Sequence, residues 1–257
     1  MIEIKNVSKK FRLQGHRSDF ELKNILEYFA RKIKKRKENP FFWALKDVSF
    51  TLEKGQRLGI IGDNGSGKTT LLKIIAGISK QTSGTVKIDQ HPMLLETSFG
   101  LKNTLTAREN LYTRACILGM SDEYIDSIID EVVEFAELGK HMDQPIKYFS
   151  SGMSGRLGFS LARYINHDLI LMDETLSRGD VHFADKTSDI FSKWAEEGKT
   201  FVMVSHSLQS IKKVCTHCLY LKKGRIEAYG SPEEVIAEYT KDIEKIKEVE
   251  DIPEFDK

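Results

Sequence analysis

The chain has 257 residues, 40% of them hydrophobic and 30% charged, with only 5 Pro, a composition that supports a folded core and excludes disordered, collagen-like and disulfide-scaffold classes. Lys and Arg number 39 against 38 Asp and Glu, so the net charge of +1 gives no global argument for a polyanionic partner and any electrostatic role must be local. Three cysteines, Cys116, Cys215 and Cys218, are too few for a disulfide framework and fit a reducing compartment. Cys215-Thr216-His217-Cys218 has the form of half a zinc site or a redox pair. No second pair accompanies it, and it runs into the strand-like Leu219-Tyr220-Leu221, so two ordinary core thiols are expected. No apolar run approaches the roughly 18–20 residues that span a bilayer. The start Met1-Ile2-Glu3-Ile4-Lys5 lacks the form of a signal peptide, so the expectation is a soluble, cytoplasmic protein unless a partner recruits it to a membrane.

Along the chain, residues 1–12 alternate as a short strand, with Ile2, Ile4 and Val7 apolar. A charged insert follows. Leu22, Ile25, Leu26, Phe29 and Ile33 recur at helical spacing, and Arg31, Lys32, Lys34, Lys35, Arg36 and Lys37 then place six positive charges within seven residues, ahead of Pro40-Phe41-Phe42-Trp43. A basic amphipathic helix with aromatic neighbours suits an anionic membrane interface, and a solvated surface helix is the alternative. Leu45 to Leu52 reads as a strand, Gly55 as a turn and Arg57 to Ile61 as a buried strand. Further on, Ile125, Ile128, Ile129, Val132, Val133 and Ala136 form one stripe of a helix behind a Ser121 cap. A helix is also expected from Ser154 to Tyr164. Leu169 to Met172 and Thr200 to Val204 are strands with a helix, Phe183 to Glu197, between them, the alternation of an α/β sheet. Ser231-Pro232-Glu233-Glu234 is a capping box that opens a last helix, followed by an acidic tail.

The segment Gly62-Asp63-Asn64-Gly65-Ser66-Gly67-Lys68-Thr69 matches G-x-x-x-x-G-K-[ST] and stands between the strand ending at Ile61 and an apolar helical run, Leu71 to Ala76. Glycines let successive backbone N–H groups curl around a phosphate, and a helix N-terminus adds partial positive charge at the same spot. Lys68 is expected on the β- and γ-phosphates of ATP and the Thr69 hydroxyl on Mg²⁺. The buried run Leu169-Ile170-Leu171-Met172 delivers Asp173 and Glu174 to the strand ends where ligands bind in such sheets. Asp173 is expected in the Mg²⁺ shell and Glu174 as the carboxylate that polarises the attacking water.

With these pieces in order, the chain resembles the ATP-binding subunit of ABC transporters over nearly its whole length. Phe149-Ser150-Ser151-Gly152-Met153 stands where that family carries Leu-Ser-Gly-Gly-Gln, Ser177-Arg178-Gly179-Asp180 resembles the D-loop, and Ser205-His206 resembles the switch histidine. A lone histidine is more often structural; its place after a strand favours the functional role for His206. The resemblance implies an α/β P-loop NTPase core of RecA-like type with an antiparallel β subdomain and an inserted helical subdomain. Residues 1–95 and 166–230 would form the ATPase core with the basic insert 13–42, residues 96–165 the helical part with the signature, and residues 231–257 the C-terminal helix and tail. It further implies a head-to-tail homodimer in which Ser150, Ser151, Gly152 and Asp180 meet the ATP held by the partner copy. On one copy, Asp63, Asn64, Gly65, Ser66, Gly67, Lys68, Thr69 and Thr70 would cradle the phosphates. Phe11 stands where an aromatic ring stacks on adenine, with core packing as the other reading.

Ser151 replaces a signature glycine, Met153 replaces the glutamine, and Glu96 stands at the Q-loop glutamine, where a carboxylate can coordinate Mg²⁺ but cannot donate a hydrogen bond. These departures, with Leu105-Thr106-Ala107-Arg108-Glu109-Asn110, resemble exporters of lipid-linked polysaccharides, including O-antigen and wall teichoic acid. In such exporters a helix inserted after the first strand lies at the membrane interface. The implied partners are two integral-membrane permease subunits and a polyprenyl-linked polysaccharide, at the cytoplasmic face of the inner membrane, without nucleic acid. No separate glycan-recognition domain is expected within this length. An ABC transporter of another cargo and a non-transport ABC ATPase are the alternatives, the latter disfavoured by the lack of long coiled coils or a second cassette.

Overall fold

The computed structural model describes residues 1–12, 41–95, 101–173 and 181–250. Strand β1 (Ile2–Arg12) pairs antiparallel with β2 (Phe41–Leu52), setting Ile2 opposite Leu52 and Phe11 opposite Phe42. The chain continues through β3 (Arg57–Ile61) into α1 (Lys68–Ile75) and then β4 (Ser83–Ile88), which pairs antiparallel with the other edge of β1. The result is a three-stranded sheet of order β2-β1-β4.

The short β5 (Met93–Leu95) leads to a helix-rich stretch: α2 (Ala107–Ile117), α3 (Asp122–Ala136), 3-10 turns at Gly139–Asp143 and Ile146–Tyr148, α4 (Ser151–Phe159) and a 3-10 turn at Ala162–Tyr164. The chain then returns as β6 (Leu169–Met172), α5 (Val181–Glu196), β7 (Thr200–Val204), α6 (Leu208–Val214), the hairpin β8 (His217–Lys222) and β9 (Arg225–Gly230), and α7 (Pro232–Glu250). The second sheet has the order β5-β6-β7-β3-β8-β9, with only β9 running antiparallel to its neighbour.

The side-chain period of two sorts each central strand onto two faces. Leu58, Ile60, Leu171, Val202, Val204 and Leu219 face one layer, where Ile2, Ile4, Val48, Leu71, Leu72 and Ile75 of the three-stranded sheet and α1 meet them. Ile61, Ile170, Met172, Phe201, Met203 and Tyr220 face the other, against Phe159, Phe183, Phe191, Trp194, Ile211 and Val235. Both faces are covered, which explains why these strands read as continuous apolar runs. The helix-rich stretch has its own cluster, built on Leu111, Ile125, Ile128, Ile129, Val132, Leu157 and Leu161.

Local sequence accounts for the helix starts. Thr106 and Glu109 form a reciprocal capping box on α2, and the Ser121 hydroxyl accepts from Tyr124 N on α3. At α4 the expected start at Ser154 is too late. The Ser150 hydroxyl accepts from Met153 N and opens the helix at Ser151, and the helix ends at Phe159, where the Ser160 hydroxyl donates to the Leu157 carbonyl. Gly155 and Gly158 have low helix propensity, which fits this early end.

Asn110, fully buried on α2, holds the preceding segment onto the helix. Its Oδ1 accepts from Lys102 N at 2.7 Å, and its Nδ2 lies near the carbonyls of Lys102, Leu105 and Thr106 at 3.1, 3.2 and 2.8 Å. Truncation removes the partner of Lys102 N and the side-chain donor to the carbonyls of Lys102, Leu105 and Thr106, each of which also accepts from a backbone N–H. Asn110→Ala is expected to lower unfolding stability by about 3 kcal/mol in a denaturant titration and to speed amide exchange at Lys102.

Candidate phosphate-binding site

The chain leaves the middle of the second sheet at Ile61 and must turn sharply beneath its neighbours. Gly62 adopts φ +142°, and a Cβ there would lie 2.1 Å from the Leu221 carbonyl oxygen. Gly67 adopts φ +111°, where a Cβ would come 2.6 Å from the Ala44 carbonyl oxygen. Both positions therefore require glycine for space as well as for conformation. From the hairpin turn, Gly224 N donates to Ser66 O at 2.9 Å, which pins the loop, while Asp63, Asn64 and Gly65 are exposed.

Lys68 is buried, and its ammonium donates to the carbonyls of Gly62 and Asp63 at 2.7 and 2.9 Å. Helix α1 begins on Gly67 with no side-chain cap and no acidic residue in its first turn. Its leading N–H groups thus remain available to an anion. The Ser66 hydroxyl is buried without a hydrogen-bond partner. An uncapped helix end, a buried ammonium and an orphaned hydroxyl fit a bound phosphate group. Thr69 is exposed at the start of α1, and Thr70 beside it is half-buried.

Two further expected residues converge on this loop through strand order. Strands β6, β7 and β3 are adjacent and parallel, with Met172 opposite Met203 and Ile60 opposite Val204. Asp173 follows the first, Ser205-His206 the second and the loop the third, so three chemistries leave the same sheet edge within about 10 Å at the usual strand spacing. Asp173 is half-buried and His206 exposed; Ser205 is buried, its hydroxyl accepting from Ser207 N at 3.0 Å. The oxygen donors of Thr69 and Asp173 are the hard ligands that Mg²⁺ takes. Glu96, Glu174, Asp180 and the rest of Ser177–Gly179 lie outside the described residues. So does the expected basic helix within 13–40.

Phe11 is 44% exposed, so the core-packing reading does not hold. The Lys9 ammonium sits 4.9 Å from its ring centroid, and neighbouring Phe41 has the Lys10 ammonium at 4.8 Å. Ser150, Ser151 and Gly152 open α4, on the helix-rich stretch rather than the sheet edge. Among the described residues no hydrogen bond or ion pair joins them to the loop.

Cys215 caps the end of α6 and Cys218 lies in β8, both buried. Burial pushes the Cys215 thiol well above its usual range and the Cys218 thiol up to about 12. Neither is a thiolate at neutral pH, and no group of three metal-ligating side chains occurs among the described residues. One contact had no sequence signal: Tyr239 of α7 lies against the loop, its hydroxyl 3.5 Å from Asp63 Oδ1.

Residues 45–177 match the family described as ABC transporter. The chain is 39% identical over 248 residues to the teichoic acids export ATP-binding protein TagH of Lactococcus lactis subsp. lactis (strain IL1403), covering 96% of this chain and 52% of that protein. It is 38% identical over 238 residues to the protein of the same name from Listeria monocytogenes serotype 4b (strain F2365), covering 93% and 69%. The chain thus spans about half the length of the Lactococcus relative. A solved dimeric post-hydrolysis state of the ATP-binding cassette MJ0796, bound to ADP and Pi, superposes with a TM-score of 0.70 at 25% identity, covering 90% of this chain and 99% of that one. Taken with the loop and the three strand ends, this match leaves one assignment: the chain belongs to the ABC transporter family and has the α/β fold of its ATP-binding cassettes.

Proposed function

We propose that this chain is the ATP-hydrolysing subunit of an ABC transporter that exports a polyprenyl-linked polysaccharide, with teichoic acid better supported than O-antigen by the names of its relatives. The observation that carries the ATPase reading is the convergence of the Gly62–Thr69 loop, Asp173 and His206 at the ends of three adjacent parallel strands. In this reading Lys68 leaves its two carbonyls for the β- and γ-phosphates, while the loop N–H groups and the start of α1 hold the remaining phosphate oxygens. Thr69 and Asp173, with Glu96, hold Mg²⁺, which when bound neutralises phosphate charge. Glu174 orients and deprotonates the attacking water, and His206 contacts the γ-phosphate. The half-exposed ring of Phe11 suits stacking on adenine.

Two copies act head to tail, each offering Ser150, Ser151, Gly152 and Asp180 to the nucleotide of the other. ATP then contacts both copies only in the closed dimer, and that differential affinity drives closure. We assign residues 1–95 and 166–230 to the ATPase core, 96–165 to the helical part and 231–257 to the C-terminal element. No helix among the described residues is long and apolar enough to cross a membrane. The transport path is therefore assigned to two permease subunits, with this chain on the cytoplasmic face of the membrane. Phe41 and Phe42, expected at the end of the basic insert 13–42, belong to β2, so the insert is shortened to 13–40 and assigned to the lipid interface beside the permease subunits.

Glu174→Gln is expected to reduce steady-state ATP hydrolysis at least about 100-fold while leaving an ATP-bound dimer detectable by size-exclusion chromatography with light scattering. Undiminished hydrolysis would contradict the assignment. To test the cargo, depletion in the native bacterium should accumulate finished polyprenyl-linked polymer on the inner side of the membrane. Unchanged surface and intracellular glycans would transfer the reading to another cargo.

A further inference from the structure

Helix α7 packs back beneath the phosphate loop through a compact polar cluster. The Tyr220 hydroxyl donates to Asp242 Oδ2 at 2.6 Å, Lys222 pairs with the same carboxylate, and the Tyr220 and Tyr239 rings meet edge to face at 5.0 Å. Val235 and Ile236 anchor the same helix in the main core. From this base the half-buried Tyr239 reaches the Asp63 carboxylate, on the second residue of the loop. Burial and the charge of Asp63 raise the phenol's pKa, so the hydroxyl is a proton donor at neutral pH. Asp63 carries a second task, since its backbone carbonyl is one of the two that hold the Lys68 ammonium.

A carboxylate at the rim of a phosphate cradle is an electrostatic liability, because a triphosphate brought within a few ångströms is repelled by it. Asp63 is exposed, so little besides the contact with Tyr239 restricts its side chain. The tyrosine hydroxyl and the nearby Lys222 ammonium favour the position turned toward α7. We propose that Tyr239 is a positioning residue for nucleotide binding, holding the Asp63 carboxylate against the C-terminal helix and away from the incoming phosphates. The inference rests on the ATP-binding reading of the loop and assigns α7 a role in the affinity of that site. Displacing α7 would then weaken nucleotide binding without touching the groups that act on the phosphates.

The test is equilibrium binding of a fluorescent ATP analogue to the full chain, in a double-mutant cycle of Tyr239→Phe and Asp63→Asn. Tyr239→Phe keeps the ring contact with Tyr220 and removes only the hydroxyl. Its expected effect is a three- to tenfold weaker Kd, about what one ordinary, partly exposed hydrogen bond contributes, with a raised KM for ATP and an unchanged kcat. In the Asp63→Asn background the same change should have no effect, because no charge remains to be held aside. An unchanged Kd on Tyr239→Phe, or an equal loss in both backgrounds, would overturn the proposal while leaving the ATP site of the unaltered chain intact. Failure of the unaltered chain to bind the analogue would overturn the loop assignment and this inference with it.

Discussion

Gly62 leaves no room for a Cβ beside the carbonyl of Leu221, and the rest of the site depends on that close approach. Because no side chain fits between them, the chain can leave the centre of the sheet and turn at once into a helix whose N-terminus faces the strand ends. The hairpin turn completes the support by donating Gly224 N to the Ser66 carbonyl. Lys68 is then buried over two loop carbonyls, a position it holds by polar contacts that a phosphate can replace.

Above this fixed base the helix-rich stretch has a separate apolar cluster, and its seam to the main core is lighter. Leu118 packs against both clusters, and Phe135 meets Phe183 edge to face. Glu137, in left-handed conformation at the end of α3, pairs with Lys186 of α5 at 2.6 Å and with Arg156 of α4 at 3.8 Å. Partly exposed pairs of this kind contribute little each, so the seam is easier to rearrange than the two-sided core of the sheet. That difference suits the proposed function, in which the loop stays preformed while α4 meets a second copy.

Much of this was legible in the sequence. The runs at 57–61, 169–172 and 200–204 are apolar on both faces, and each ends at a residue with phosphate or metal chemistry, so strands and candidate site residues could be read together, whereas the strand order comes from the tertiary pairing. The strands β4, β5 and β9 were not marked, because they are short or half-exposed and their pairing is set by tertiary contacts rather than by local pattern. Helix α4 starts three residues before the expected Ser154 because the Ser150 hydroxyl caps it at Met153 N. At Phe11 the sequence pattern fits both adenine stacking and core packing, and only the exposure of the ring separates them. The approach of Tyr239 to Asp63 was illegible in principle, since 176 residues separate them and neither residue type is unusual where it stands.

The central claim is that the Gly62–Thr69 loop is the phosphate site of an ATP-binding cassette. Calorimetric titration of the full chain with ATP and Mg²⁺, beside the Lys68→Ala variant, tests it most directly. The account predicts one ATP per chain and at least about a tenfold loss of affinity on removing the ammonium, as expected when a buried charged partner of a phosphate is lost. Equal affinity in the two proteins would place the nucleotide elsewhere and contradict the account.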